Sequence, residues 1–289
     1  MRQPRRSIFL FLIILGLALS ALSAAQPQQA SSHGFTILLT NDDGYDAPGL
    51  QALISAMQTA GDVYVAAPAD NQSGKGHSMT NSQYLYVHAN KQPDGRTFYS
   101  IEATPATCVR LGIDALIPKK PDLVISGINR GENLGLVVYY SGTVGAAREA
   151  AMSGLPAIAV SMQGDRADDY KSAAAYIRKL VGQLQDKHLL KPGFFLNVNI
   201  PAGQPKGVRV TQMSMTKRQQ IYDRHSDTEG RPYYEQSWRP VSEYDERTDV
   251  WAFARGYITL TPMMLDTTAL KSISGLLSLE RESVASAAK

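Results

Sequence analysis

Short apolar runs that stop in clusters of Asn, Asp, Ser and Gly recur along this chain, with helix-patterned stretches between them. Residues 35–40 (FTILLT), 62–68, 122–128, 155–161 and 194–201 are such runs. A strand that is apolar on successive positions, rather than alternate ones, is buried on both faces, as in a parallel sheet between two helical layers. The intervening stretches carry apolar residues at helical spacing. They include Leu50, Leu53, Ile54 and Met57 after Pro48, residues 105–116, Ala146, Ala147, Ala150 and Met152, and residues 170–184. This alternation predicts a doubly wound α/β fold with a parallel sheet. Residues 84–89 and 97–102 read as a β excursion around the turn-rich 90–96. Past about residue 205 the texture changes: 208–211 is one more strand, 217–250 is dense in charge, Tyr, Arg and Pro, and 251–260 reads as an aromatic closing strand. The expected organisation is a core over 33–211, a β-hairpin arm and closing strand over 212–262, and a helix with a polar tail over 263–289.

The amino terminus has a different character. Arg2, Arg5 and Arg6 precede an apolar run over residues 8–19, followed by small residues at 20–25 and then a polar stretch. This is the three-part layout of a secretory signal peptide over residues 1–25, and it predicts a periplasmic or secreted protein. An uncleaved anchor is the alternative, but the run is shorter than the ~20 residues of a spanning helix. Arg5-Arg6 also fits a twin-arginine signal. The formal charge of +3 belongs to this segment: without its three arginines the chain has 26 basic against 26 acidic residues. Nothing in that balance suggests binding of a nucleic-acid duplex, or stable membrane association once the signal is removed. Cys108 is the single cysteine, so one chain forms no disulfide and offers no thiolate zinc site. It lies in a helical apolar pattern and reads as a core residue.

The polar ends of the runs carry the candidate chemistry. Asn41-Asp42-Asp43-Gly44 follows the first run, so two adjacent carboxylates sit at the carboxyl end of a strand, where open α/β sheets place ligands. A turn accounts for Asn, Asp and Gly equally well; a bound cation accounts for the paired charges. The second run leads to residues 69–78, containing Ser73, whose Gly-Lys-Gly does not complete a P-loop. The third leads to Asn129 and Asn133 in a glycine-rich loop. Carboxylate, hydroxyl and amide oxygens suit a hard cation such as Mg²⁺ or Mn²⁺, and the five histidines show no zinc spacing. Ser141-Gly142-Thr143 opens a helix, which fits either a phosphate held at the helix amino terminus or a plain N-cap.

Five segments carry a resemblance: TNDDGYDAPGL, AAPADNQSGKGHS, DLVISGINRGENLG, YSGTVGAAREAAMSGLPAIAVS and TDVWAFARGYITLTP. In this order they resemble the SurE family, the survival-protein or stationary-phase 5′-nucleotidases, over roughly residues 34–266. The resemblance implies a Rossmann-like three-layer α/β/α core with a carboxy-terminal hairpin arm. It also implies a metal-dependent phosphatase for nucleoside 5′- and 3′-monophosphates, with polyphosphate a further candidate substrate. One divalent cation per subunit, Mg²⁺ or Mn²⁺, would be held by Asp42, Asp43, Ser73 and Asn129. Asn133, Ser141, Gly142 and Thr143 would line the phosphate site, and Asp42 or Asp43 would attack directly or orient a water. A homodimer or homotetramer formed by exchange of the arm is implied as well, while export departs from the family's usual cytoplasmic setting. The rival expectations are a metal-stabilised nucleotide-binding protein without hydrolysis, and a nucleotide-sugar transferase. Arg224 and His225 are either solvated arm residues or contributors to a site.

Overall fold

The computed structural model describes residues 34–217, 219–239, 242–277 and 279–282; the signal segment 1–25 and the end of the polar tail lie outside the described residues. The strands are β1 (Thr36–Thr40), β2 (Asp62–Pro68), β3 (Val87–Lys91), β4 (Thr97–Ile101), β5 (Leu123–Arg130), β6 (Ala157–Met162), β7 (Phe195–Ile200), β8 (Val208–Val210), β9 (Gln219–Ser226), β10 (Pro232–Arg239) and β11 (Ile258–Pro262). The helices that build the core are α1 (Pro48–Met57), α2 (Pro105–Leu111), α3 (Gly142–Met152) and α4 (Ala167–Asp186).

Nine strands form one mixed sheet in the order β3-β4-β2-β1-β5-β6-β7-β11-β8. The run β4-β2-β1-β5-β6-β7 is parallel, and β3 and β11 pair antiparallel with β4 and β7. Successive residues of β1 point to opposite faces, so Ile37 and Leu39 pack under α1 and α4, while Leu38 joins the cluster containing residues of α2 and α3. This is the expected three-layer α/β/α arrangement. Each fully buried Leu or Ile contributes about 1.5–3 kcal/mol relative to exposure, and all of β1 is buried. The strand is thus anchored firmly enough to carry an unfavourable pair of carboxylates at its end.

Three expectations are corrected. The excursion at 84–102 is part of the main sheet: β4 lies parallel to β2, with β3 at the edge. The helix starting at Pro105 is α-helical only to Leu111, then widens into a π-turn over Gly112–Leu116. Residues 251–257 are not strand. Thr248 caps a short helix, α5 (Asp249–Ala254), by accepting from the Trp251 amide, and Gly256 at φ +85 ends it before β11. The closing strand then inserts between β7 and β8, so among the described residues only β9 and β10 stand out as a separate two-stranded hairpin. Arg224 and His225 lie on that hairpin, with the His225 ring stacked on Tyr233 at 5.3 Å.

Candidate active site

β1 is flanked by β2 on one side and β5 on the other, with all three parallel. The chain leaves β1 for α1 on one face of the sheet and β5 for α3 on the other, so a crevice opens beyond the carboxyl ends of β1 and β5. Asp42, Asp43, Asn129 and Arg130 stand at that crevice. The turn after β1 is folded by its own first residue, because Asn41 Nδ2 donates to the Gly44 carbonyl at 2.7 Å. Backbone bonds then bring the loops together. The Gln72 amide donates to the Asp42 carbonyl at 2.7 Å, which brings the Ser73 loop alongside. The Arg130 amide donates to Asp43 Oδ2 at 3.0 Å, which ties in the end of β5. Asn129 commits its Nδ2 to the Gly131 carbonyl at 2.8 Å, and its amide oxygen is the atom a cation would use. Ser73 is exposed, its amide held by Asn71 Oδ1 at 2.9 Å.

Electrostatics distinguishes the two carboxylates from ordinary turn residues. Burial pushes the Asp42 carboxyl up to about 6, and the charge of Asp43 adds to the rise; Thr143 opposes both. Burial also raises Asp43, against the pull of Arg130. Adjacent carboxylates held partly out of water favour a counter-charge, and two carboxylates with hydroxyl and amide oxygens fit a hard divalent ion. Among the described residues no cluster of three or more His, Cys, Asp or Glu is placed to hold a metal. Half of this donor set is Ser and Asn, so it is of a different kind.

The amino end of α3 lies directly against Asp42. The Thr143 hydroxyl donates to Asp42 Oδ1. A Cβ built on Gly142 would lie 2.8 Å from Asp42 Cβ and Oδ2, so only glycine lets the helix approach this closely. Ser141 Oγ caps the helix by accepting from the Val144 amide at 3.1 Å. The helix end thus serves first as a cap and as a cradle for Asp42, and two of the expected phosphate contacts are already engaged. Ser141 retains its hydroxyl hydrogen to donate, whereas the Thr143 hydrogen is spent on Asp42.

Asn133 is fixed from behind. Its amide donates to Asn199 Oδ1 at 2.7 Å and its Nδ2 to Ser161 Oγ at 2.8 Å, while its carbonyl accepts from Asn197 Nδ2 at 2.8 Å. Sequence reasoning missed Ser161, Asn197 and Asn199; the available signal was polar residues inside otherwise apolar runs. It also missed Asp249, whose buried carboxylate accepts from the amides of Gly135 and Ser214, both at 2.9 Å, and so pins the same loop to the segment leading into the hairpin. A groove of about 790 Å³ lies between α1 and α4 along Gln51, Ala52, Ala56, Lys171, Ala174 and Arg178. It is lined largely by small apolar residues and contains none of the candidate ligands, so the loop cluster is the better-supported chemical site.

Comparison with known proteins agrees with this geometry. The sequence profile described as Survival protein SurE matches residues 37–220. A protein named 5′-nucleotidase SurE from Desulfitobacterium hafniense is 44% identical over 251 residues, covering 84% of this chain and 98% of its own length. One named 5′-nucleotidase SurE 1 from Thermus thermophilus is 42% identical over 247 residues, covering 83% and 97%. The crystal structure of the SurE protein from Aquifex aeolicus superposes with a TM-score of 0.75 at 38% identity, covering 85% of this chain and 99% of that one.

Proposed function

Because this chain belongs to the SurE family, we propose that it is a 5′-nucleotidase whose hydrolysis of nucleoside monophosphates depends on a divalent cation. The observation that carries the metal dependence is the raised, paired carboxylates Asp42 and Asp43 at the β1–β5 crevice. Asp42, Asp43, Ser73 and Asn129 would hold one Mg²⁺ or Mn²⁺, which when bound polarises a phosphoryl oxygen and promotes ionisation of water. The rest is the work of the chain. The Ser141 hydroxyl and the backbone at Gly142 would bind the phosphate at the positive end of α3, where growing negative charge is stabilised. Thr143 holds Asp42, and the Asn133 network fixes the loop that follows β5. Asp43, the less buried of the two carboxylates, would orient the incoming water and take its proton. The water oxygen would bond to phosphorus as the ester P–O bond breaks, the nucleoside oxygen would take a proton from solvent, and Asp43 would return to solvent the proton it took.

Activity on 3′-monophosphates and on polyphosphate belongs to the same proposal. Phosphate release from 5′- and 3′-monophosphates and polyphosphate, first with chelator and then with added Mn²⁺ or Mg²⁺, tests it. Metal-restored release is expected; release undiminished by chelator would overturn the metal role, and nucleotide binding without release under any metal would favour a binding protein.

Export and assembly are proposed on separate grounds. The layout of residues 1–25 supports a periplasmic or secreted enzyme. The hairpin of β9 and β10 leaves Tyr222, Tyr233, Tyr234 and Trp238 exposed, which supports exchange of this arm between copies in a dimer or tetramer. Native mass spectrometry of the exported protein is expected to find a chain beginning near residue 26 in a dimer or larger. A full-length monomer would contradict both.

A further inference from the structure

Gly142, Gly145 and Glu149 are spaced three and four residues apart on α3, so they share one face of the helix. Contacts along that face follow the same line. Gly142 meets Asp42, and a Cβ on Gly145 would lie 2.3 Å from the Gly76 carbonyl oxygen and 3.0 Å from His77 Cα. One turn further, Glu149 Oε2 meets His77 Nε2 at 2.8 Å. The face is bare where the Ser73 loop crosses it and bears a carboxylate where that loop ends. Glu149 is only 3% exposed, and its other oxygen accepts from Arg110 Nε of α2 at 2.7 Å. Both oxygens are therefore claimed, one by the loop and one by a neighbouring helix.

Close to Ser73, two backbone bonds tie the loop to the rest of the fold. The Gln72 amide bonds to the Asp42 carbonyl at 2.7 Å on one side of Ser73, and the Gly76 amide bonds to the Tyr140 carbonyl at 3.0 Å on the other. Between them Ser73 and Gly74 are exposed, and a Cβ on Gly74 would meet nothing within 4 Å. The position of Ser73 is set by what grips the chain on either side.

We propose that Glu149 is a positioning residue for the site: through His77 it holds the Ser73 loop against α3, and so fixes where Ser73 can meet a cation. Removing the carboxylate also leaves Arg110 and His77 without their shared partner. The proposal rests on the metal-dependent reading above and makes one claim independent of it, that the pair holds the loop before any metal arrives.

Glu149→Gln and His77→Gln in the full chain test both parts. Hydrogen–deuterium exchange over residues 70–79 of the metal-stripped protein is expected to be faster in both variants. The Mn²⁺ dissociation constant is expected to rise roughly tenfold, with kcat at saturating Mn²⁺ within about twofold of the parent. Folded variants with parental exchange and parental Mn²⁺ affinity would overturn the proposal. If the parent itself binds no Mn²⁺, the metal reading fails, while the exchange comparison still decides the clamp. If Glu149→Gln does not fold, His77→Gln carries the test, since that side chain is 21% exposed.

Discussion

Asp42→Asn is expected to lower metal-dependent phosphate release by on the order of a hundredfold or more, and at the same time to make the metal-free protein more stable. Both effects follow from the placement of Asp42. It is 3% exposed, sits beside a second carboxylate, and has its carboxyl raised from 3.8 to about 6, chiefly by burial. A carboxyl raised on folding holds its proton more tightly in the folded state. The metal-free fold therefore loses stability as pH climbs from about 4 to about 6 and stays lower above that. A shift of this size corresponds to about 3 kcal/mol at pH 8. An amide of the same shape can still accept from Thr143 and carries no charge to bury. Urea unfolding of stripped protein should show the variant ahead of the parent at pH 8, with the gap closing near pH 4. A variant that keeps its turnover, or is less stable than the parent at pH 8, would contradict this placement.

Gly145→Ala should impair the fold and the activity together. The new Cβ would sit 2.3 Å from the Gly76 carbonyl oxygen and 3.0 Å from His77 Cα, both backbone atoms. The helix cannot retreat, because Ala146, Ala147 and Ala150 are fully buried against the sheet side. The loop must give way instead, at a cost of about 1–3 kcal/mol. Since that loop carries Ser73, the half-activating Mn²⁺ concentration should rise as well. Gly182→Ala is the control: it lies within α4 and its Cβ would meet nothing within 4 Å. Equal melting temperatures for Gly145→Ala, the control and the parent would show that α3 and the loop are not in the described contact.

The elements that position the site were legible because their cause is local. Five apolar runs with helical stretches between them gave the parallel core, and Asp42, Asp43, Ser73 and Asn129 fell at strand ends by simple order along the chain. The aromatic stretch at 251–257 misled because Trp and Phe suit a strand as well as a buried helix face; Thr248 and Asp249 just before it were the helix signal. Less legible were the partners. Thr143 reaches Asp42 across 101 positions, and Glu149 reaches His77 across 72. Asn197 and Asn199 serve Asn133 from a strand two places away in the sheet from β5. Local spacing carries no trace of such pairs. It offered the N-cap that Ser141 forms as one of two readings, and could not show that Thr143 supports Asp42.

The most direct measurement is calorimetric titration of Mn²⁺ into stripped protein, parent and Asp43→Asn side by side. One cation bound per chain by the parent, and binding lost or severely weakened in the variant, is the predicted result. Equal affinity in the two proteins, or phosphate release by a parent that binds no cation, would remove the metal from the β1–β5 crevice and the account with it.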